Sequence, residues 1–438
     1  MLKKKFFAKG GDVISGEVVM PGDKSISHRA LILLSISTGK AKVENFLESD
    51  DCKATCRILQ KLGVKIYKDS NHTFIVEGVG LNGLKASNDN LDCGNSGTSM
   101  RLLSGLLSAQ NFPSFLVGDT SLHKRPMDRI AIPLRKMGAI IKLSDDNTAP
   151  IEINPVKKIS PIEYNMQIDS AQIKSAIILL ALYASGSSKI IENQKTRDHT
   201  ENILGYLGVD ILRKEKTLTI NPPKKLISKD IIVPGDISSA MFFIVAGLIT
   251  KESKIKIKNI GLNPTRVGAI EILKMMGANI EIIYKENKTP EKVGDIIASS
   301  SNLNGIEIPK KYVANAIDEF PIILIAAACA SGKTTLQNAK ELKFKESDRL
   351  LAMSKGLKNC KIENNLRDDG IEIFGGEIYG GNIDSYGDHR IAMAFSIAGI
   401  VSKGNMKIHN TKNISTSFPN FYDLMNCLGV KCEKKIES

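Results

Sequence analysis

The stretch GDKSISHRALILLSISTGKAKVENF, residues 22–46, decides the fold. It opens on small and charged residues, Gly22 to Ser25, and runs on into apolar residues with almost no polar face. A helix that is apolar all round belongs inside a protein. The run breaks at Ser37–Gly39, and the segment after it reads as a short strand.

Working outward, the same order returns five times. It appears as GNSGTSMRLLSGLLSAQNFPSFLVGD (94–119), DSAQIKSAIILLALYASGSSKIIEN (169–193) and GDISSAMFFIVAGLITKESKIKIKN (235–259). The last two copies are DEFPIILIAAACASGKTTLQNA (318–339) and GDHRIAMAFSIAGIVSKGNMKIHN (387–410). A second element keeps the beat: LGVKI at Leu62, MGAII at Met137, LGVDI at Leu207, MGANI at Met276 and LGVKC at Leu428. Glycine just after a helix is its left-handed cap. The fifth copy, near GLKNCKIE, lacks that glycine. Each unit reads as strand–helix–strand–helix–strand. Starts roughly 65–85 residues apart are too long for an ordinary solenoid. The expectation is an α/β fold of two domains with three units each.

The joints are legible as near copies. VVMPGDKS at Val18 and IIVPGDIS at Ile231 both carry Pro-Gly, a turn and hinge signal. Read as paired crossings near 20–23 and 233–236, they give one domain at 22–233. The other takes 1–21 plus 234–438. Two crossings make a two-strand hinge suited to closure on a ligand.

Composition narrows the function. Aromatics are 5% and Trp is absent, so the core must be aliphatic and stacking platforms for nucleic acid are lacking. The formal charge is +13, but only 12 of the 60 basic residues are arginine. Seven of those that fall in the segments discussed here are Arg29, Arg125, Arg129, Arg197, Arg266, Arg349 and Arg390. Arginine offers a fixed fork to carboxylate or phosphate. Small anionic ligands are therefore expected, and no nucleic acid. The seven cysteines form no metal framework and read as reduced thiols of a cytoplasmic protein. The charged start MLKKKFF has no long apolar region behind it, so no secretory signal is read. Ala176–Ala184 and Ala240–Ile249 fall short of the ~20 residues of a membrane span. No metal or other cofactor is expected, because no His/Cys/Asp cluster has metal spacing.

Five of the six apolar helices begin with polar groups. Helix starts offer unpaired N–H groups to an anion, and ordinary N-capping uses the same residues. Lys24 and Arg29, Gln172 and Lys174, and His389 and Arg390 tilt the reading toward anions.

GDKSISHRA, GNSGTSMRLL, GDTSLHKRPMDR, SAQIK, TRDHTE, VPGDISSA, DEFP, KFKESDR, GDHRIAMAF and TSFP follow one another along nearly the whole chain. Their order resembles that of the 5-enolpyruvylshikimate-3-phosphate synthases. The resemblance implies a two-domain enolpyruvyl transferase fold, each domain an inside-out α/β barrel of three βαβαββ repeats. It implies transfer of the enolpyruvyl group of phosphoenolpyruvate to the 5-hydroxyl of shikimate 3-phosphate, by a monomer. Lys24 matches the lysine between the two substrates, and Ser25 and Arg29 match residues at the shikimate carboxylate. Ser170, Ala171 and Gln172 match the group at both substrates, and Arg197 a contact to the sugar-side phosphate. Arg125, Arg349 and Arg390 match the arginines around phosphoenolpyruvate, and Gly97 faces its carboxyl end. Asp318 and Glu346 match the paired carboxylates for proton transfer, with Lys345 beside them and His389 as a further candidate.

The addition–elimination chemistry passes through a tetrahedral ketal whose charge preorganised cations would stabilise. GDKS, SAQIK, RDHTE and NPTR (Asn263–Arg266) resemble the bacterial class II branch. Two departures stand out: Gly97 where that branch often has alanine, and Thr416 where the class I pattern has lysine. Lys412 lies nearby in sequence.

Three rival readings fit less well. A UDP-N-acetylglucosamine enolpyruvyl transferase uses a cysteine in a mobile loop, and Gly118–Arg129 has none. ASGKTT (Ala330–Thr335) resembles a phosphate loop, but position 327 is alanine and the segment follows a helix. A non-catalytic anion-binding repeat protein would not collect arginines and carboxylates at helix starts.

Overall fold

The computed structural model describes residues 3–8, 13–286, 289–430 and 432–437, with 3–8 and 432–437 described by backbone alone. Met1 and Leu2 of the charged start, and Lys431 of the last Leu-Gly segment, lie outside the described residues.

Among the described residues the helices come in pairs. The first three pairs are α1 (Lys24–Ser35) with α2 (Asp50–Lys61), α3 (Gly97–Leu107) with α4 (Asp128–Lys136), and α5 (Ala171–Ala181) with α6 (His199–Tyr206). The last three are α7 (Ile237–Ile249) with α8 (Gly268–Met275), α10 (Phe320–Ala328) with α11 (Arg349–Asn359), and α12 (His389–Val401) with α13 (Phe421–Cys427). A single turn, α9 (Lys310–Val313), precedes α10.

The first member of each pair is buried. α1 is buried from Ile26 to Ser35, α7 from Ile237 to Leu248 and α12 from His389 to Ile400. Their few hydroxyls turn back onto the helix: Ser35, Ser104 and Ser396 donate to carbonyls four residues earlier at 2.7–2.8 Å. That satisfies each hydroxyl without water. Small residues also bring helices close. A Cβ on Gly105 of α3 would fall 2.2 Å from the carbonyl oxygen of Ala176 in α5.

The described strands form six small sheets. In the second repeat Leu91–Asp92 runs parallel to Ser114–Val117, which pairs antiparallel with Ile151–Asn154, which pairs antiparallel with Ile140–Lys142. The unit thus ends on two strands, βαβαββ, one more than the residue pattern alone suggests. The near copies at Val18 and Ile231 serve exchanged sheets. Ser15–Val19 leads into α1 but pairs with Lys254–Gly261, which follows α7. Ile231–Ile232 leads into α7 but pairs with Thr38–Glu44, which follows α1. Lys3–Ala8 likewise closes the sheet of the sixth repeat, between Met406–His409 and Cys432–Glu437. Lys333 of ASGKTT opens the strand Lys333–Leu336 after α10, the helix-to-strand break of the fifth repeat.

The caps repeat with one exception. Gly63, Gly138, Gly208, Gly277 and Gly429 all have φ of 89–99°. In the fifth repeat Lys361 takes that place with φ of 62°, a conformation side chains disfavour.

The chain divides into two compact units. One is Gly22–Val233 with Lys288–Glu291; the other is Met1–Pro21, Pro234–Asn287 and Lys292–Ser438. They are called here the Gly22 unit and the Pro234 unit. Glu291 groups with the former because its Oε1 meets His199 Nδ1 at 2.7 Å and accepts from Asn202 at 3.3 Å.

Candidate active site

In the Gly22 unit Asp23 caps α1 by accepting from the Ile26 amide at 2.9 Å. Lys24, the next residue, sets its Nζ 3.2 Å from Asp51 Oδ2 in the first turn of α2. One turn along, Arg29 is only 4% exposed. Its guanidinium donates to the Ser25 carbonyl (2.9 Å), Thr200 Oγ1 (2.7 Å) and Ser175 Oγ (2.9 Å). These bonds fix α1 to α5 and α6. Behind them, His28 Nδ1 meets Thr55 Oγ1 at 2.8 Å, and Thr55 meets Ser99 at 2.6 Å. Burial first, then Lys24 and Arg29, push the His28 pKa down to about 3. The ring is therefore neutral at ordinary pH.

α3 is capped by Ser96, which accepts from the Ser99 amide at 3.1 Å. Gly97 is its first residue. A Cβ there would stand 3.1 Å from Arg101 Nη1 and 3.2 Å from Arg125 Nη1. Arg125 donates to Asn95 Oδ1 at 2.9 Å and Ser121 Oγ at 3.4 Å, and it has no carboxylate partner among the described residues. Asn95 is held in turn by Asp119 at 2.8 Å.

Ser170 precedes α5 without a side-chain cap bond, and Ala171 begins the helix. Gln172 accepts from Arg101 Nη1 and donates to Thr98 Oγ1 at 2.9 Å. Lys174 is a correction. Read from sequence as a cation for an anion, it is 0% exposed and bound to Glu201 (2.7 Å) and Glu192 (3.0 Å). It is a structural ion pair between α5 and α6. Arg197 is half-buried in the loop before α6, beside Thr196, whose carbonyl accepts from Lys174 at 3.3 Å.

In the Pro234 unit the carboxylates gather on Arg349, the first residue of α11 and 2% exposed. Its Nε lies 2.8 Å from Asp388 Oδ2, its Nη2 2.5 Å from Glu346 Oε2 and its Nη1 3.6 Å from Asp318 Oδ1. Lys345 Nζ adds a contact of 3.3 Å to Asp318 Oδ1. Burial works against the guanidinium charge, but Asp388, Glu346 and Asp318 outweigh it and push the Arg349 pKa up. Nη1 has no hydrogen-bond partner among the described residues. Asp388 also caps α12 by accepting from the Arg390 amide at 2.9 Å, next to buried His389. The Arg390 side chain is 8% exposed and has no carboxylate partner among the described residues. Lys412 is exposed on a short 3₁₀ turn. In that turn Thr416 Oγ1 donates to the Asn413 carbonyl at 2.7 Å, and Asn413 donates to the Gly387 carbonyl at 2.6 Å.

Ordinary capping accounts for four of the six buried helix starts, at Asp23, Ser96, Asp236 and Asp388. Those of α5 and α10 have no side-chain cap. Sequence reasoning did not single out Asp51, Asn95, Arg101 or Asp388. A signal existed for Arg101, which lies four residues after Gly97 and so on the same helix face.

Known proteins place this architecture. The enolpyruvyl transferase NikO from Streptomyces tendae, 16% identical, matches with a TM-score of 0.80 over 100% of both chains. The fold is that of the enolpyruvyl transferases. Residues 8–425 match the family model of EPSP synthase (3-phosphoshikimate 1-carboxyvinyltransferase). A 3-phosphoshikimate 1-carboxyvinyltransferase of Legionella pneumophila (strain Lens) is 47% identical over 429 residues, 98% of this chain and 99% of that protein. The EPSP synthase from Acinetobacter baumannii is 43% identical, with a TM-score of 0.89 over 99% of this chain and 100% of that one. The chain belongs to the EPSP synthase family.

Proposed function

We propose that this chain transfers the enolpyruvyl group of phosphoenolpyruvate to the 5-hydroxyl of shikimate 3-phosphate and releases phosphate. This is a step of the shikimate pathway to aromatic amino acids. The observation that carries the reading is the meeting of two guanidinium groups at the first residue of α3. Arg101 and Arg125 both approach Gly97, and the Arg125 charge is held by neutral oxygens only among the described residues. Like charges at one helix start are favourable when an anion joins them.

In this reading Arg125 and Arg390 bind phosphoenolpyruvate, with Arg349 reaching it through Nη1 alone. Gly97 leaves space at its carboxyl end. Ser25, Arg29, Ser170, Ala171, Gln172 and Arg197 hold shikimate 3-phosphate. The acceptor hydroxyl loses a proton as its oxygen attacks C2, and C3 gains one. Phosphate then leaves as C3 gives its proton back. Asp318 and Glu346 are the groups that exchange these protons, with Lys24 and Lys345 balancing charge and His389 a further candidate. The Arg349 cluster supports this assignment, because it keeps both carboxylates oriented. The reading extends to a cytoplasmic monomer that binds neither nucleic acid nor membrane. The confinement of most arginines to the quoted segments supports it.

The test is phosphate release from phosphoenolpyruvate with shikimate 3-phosphate, with UDP-N-acetylglucosamine and with neither. Release is expected only with shikimate 3-phosphate. Release only with the nucleotide sugar would overturn the acceptor.

A further inference from the structure

We infer that Arg101 is a positioning residue of this reaction that acts through Gln172, and that it sets the tolerance of position 97 to a side chain. The inference rests on the function proposed above.

Arg101 sits one turn into α3, on the face that carries Gly97. Its Nη1 donates to Gln172 Oε1, while Gln172 Nε2 donates to Thr98 Oγ1 at 2.9 Å. A side-chain amide has one acceptor end and one donor end. With a guanidinium on one side, which only donates, the Gln172 amide has a single orientation. Removing the guanidinium frees the amide to turn. Arg101 therefore joins the starts of α3 and α5, two helices whose residues the proposed function uses.

Position 97 reports the same constraint. A methyl group there would meet Arg101 Nη1 at 3.1 Å and Arg125 Nη1 at 3.2 Å. Such contacts require the neighbour to yield by a few tenths of an ångström. Movement of Arg101 away from such a methyl strains its bond to Gln172, and movement of Arg125 strains its bonds to Asn95 and Ser121. A Cβ at 97 thus disturbs the ligand groups through the arginines, besides any contact with a ligand. If Arg101 were shortened, one of the two obstacles would be gone.

Steady-state kinetics of the wild type, Arg101→Lys, Arg101→Met, Gly97→Ala and the double variant Gly97→Ala/Arg101→Met test this. Arg101→Met is expected to lower kcat/KM for phosphoenolpyruvate by about 10²-fold, chiefly through KM. Arg101→Lys should recover part of the loss. The double variant should lose less than the product of the single losses. A wild-type KM in Arg101→Met with only a lower Tm, or losses that multiply in the double variant, would overturn the inference. Absence of phosphate release by the wild type would instead overturn the proposed function, and the inference with it.

Discussion

Arg125 and Arg349 resemble arginines of the same anion site, yet their surroundings are opposite. Arg125, in the Gly22 unit, is held by an amide oxygen and a hydroxyl. Arg349, in the Pro234 unit, is buried among Asp388, Glu346 and Asp318. In the proposed function the first keeps its charge for a ligand. The second directs most of its donors at carboxylates, and its Nη1 has no hydrogen-bond partner among the described residues. A shared residue type therefore does not mean a shared role: the partners decide whether an arginine binds an anion or organises acids. Removing one member of a buried ion cluster also leaves uncompensated charge, whereas removing a cation held by neutral groups does not.

Substitution at the two arginines should separate these roles most strongly. Arg349→Met is expected to destabilise the protein by about 3–5 kcal/mol, because buried Asp388 loses the guanidinium it is paired with, and Glu346 and Asp318 lose a cationic contact. Arg125→Met should change stability by no more than about 0.5 kcal/mol while lowering kcat/KM for phosphoenolpyruvate by about 10²–10³-fold. Urea unfolding and steady-state rates check both, and equal losses of stability would break the comparison.

Glu346→Gln keeps the shape of the Arg349 cluster and removes one proton-accepting group. Turnover is expected to fall by about 10²–10⁴-fold with shikimate 3-phosphate binding retained. Near-normal turnover would remove Glu346 from the chemistry.

The interior of the Gly22 unit carries a contrasting group, neutral His28. Its pKa is 6.5 when exposed and about 3 in the fold. The unfolded chain takes up the proton first as pH falls. The contribution of His28 is thus complete above pH 6.5 and declines toward pH 3, by about 1.4 kcal/mol per pH unit. His28→Asn should have a shallower decline than the wild type in urea midpoints measured from pH 7 to 4. An unchanged slope would show that His28 is not the group that titrates.

The smallest effect is expected at the odd cap. Lys361 has φ of 62° where the other described repeats place glycine. Lys361→Gly should stabilise the protein by up to about 1 kcal/mol in thermal unfolding. A lower Tm would mean that the stacking of the Lys361 ammonium on Tyr379, 4.5 Å from its ring, outweighs the backbone strain.

The buried helices were legible because an apolar surface all round has one stable location, and five caps were legible because glycine marks them. The last strand of each repeat was not, since segments of three to seven residues carry little periodicity of their own. The exchange of Ser15–Val19 and Ile231–Ile232 shows only as two near copies; which sheet each strand joins is a long-range choice. Within the site, the arginines and acids of the quoted segments could be nominated from residue type. Their partners could not. Lys174 and Lys24 look alike in sequence, but one is sealed between Glu192 and Glu201 while the other pairs with Asp51 at a helix start. Burial and third-party contacts of this kind arise only when distant helices pack.

The most direct test of this division of roles is equilibrium binding of phosphoenolpyruvate, in the presence of shikimate 3-phosphate, to Arg125→Met and Glu346→Gln. Arg125→Met should lose most of its affinity while Glu346→Gln binds no more weakly than the wild type. Equal loss of affinity in both variants would contradict it.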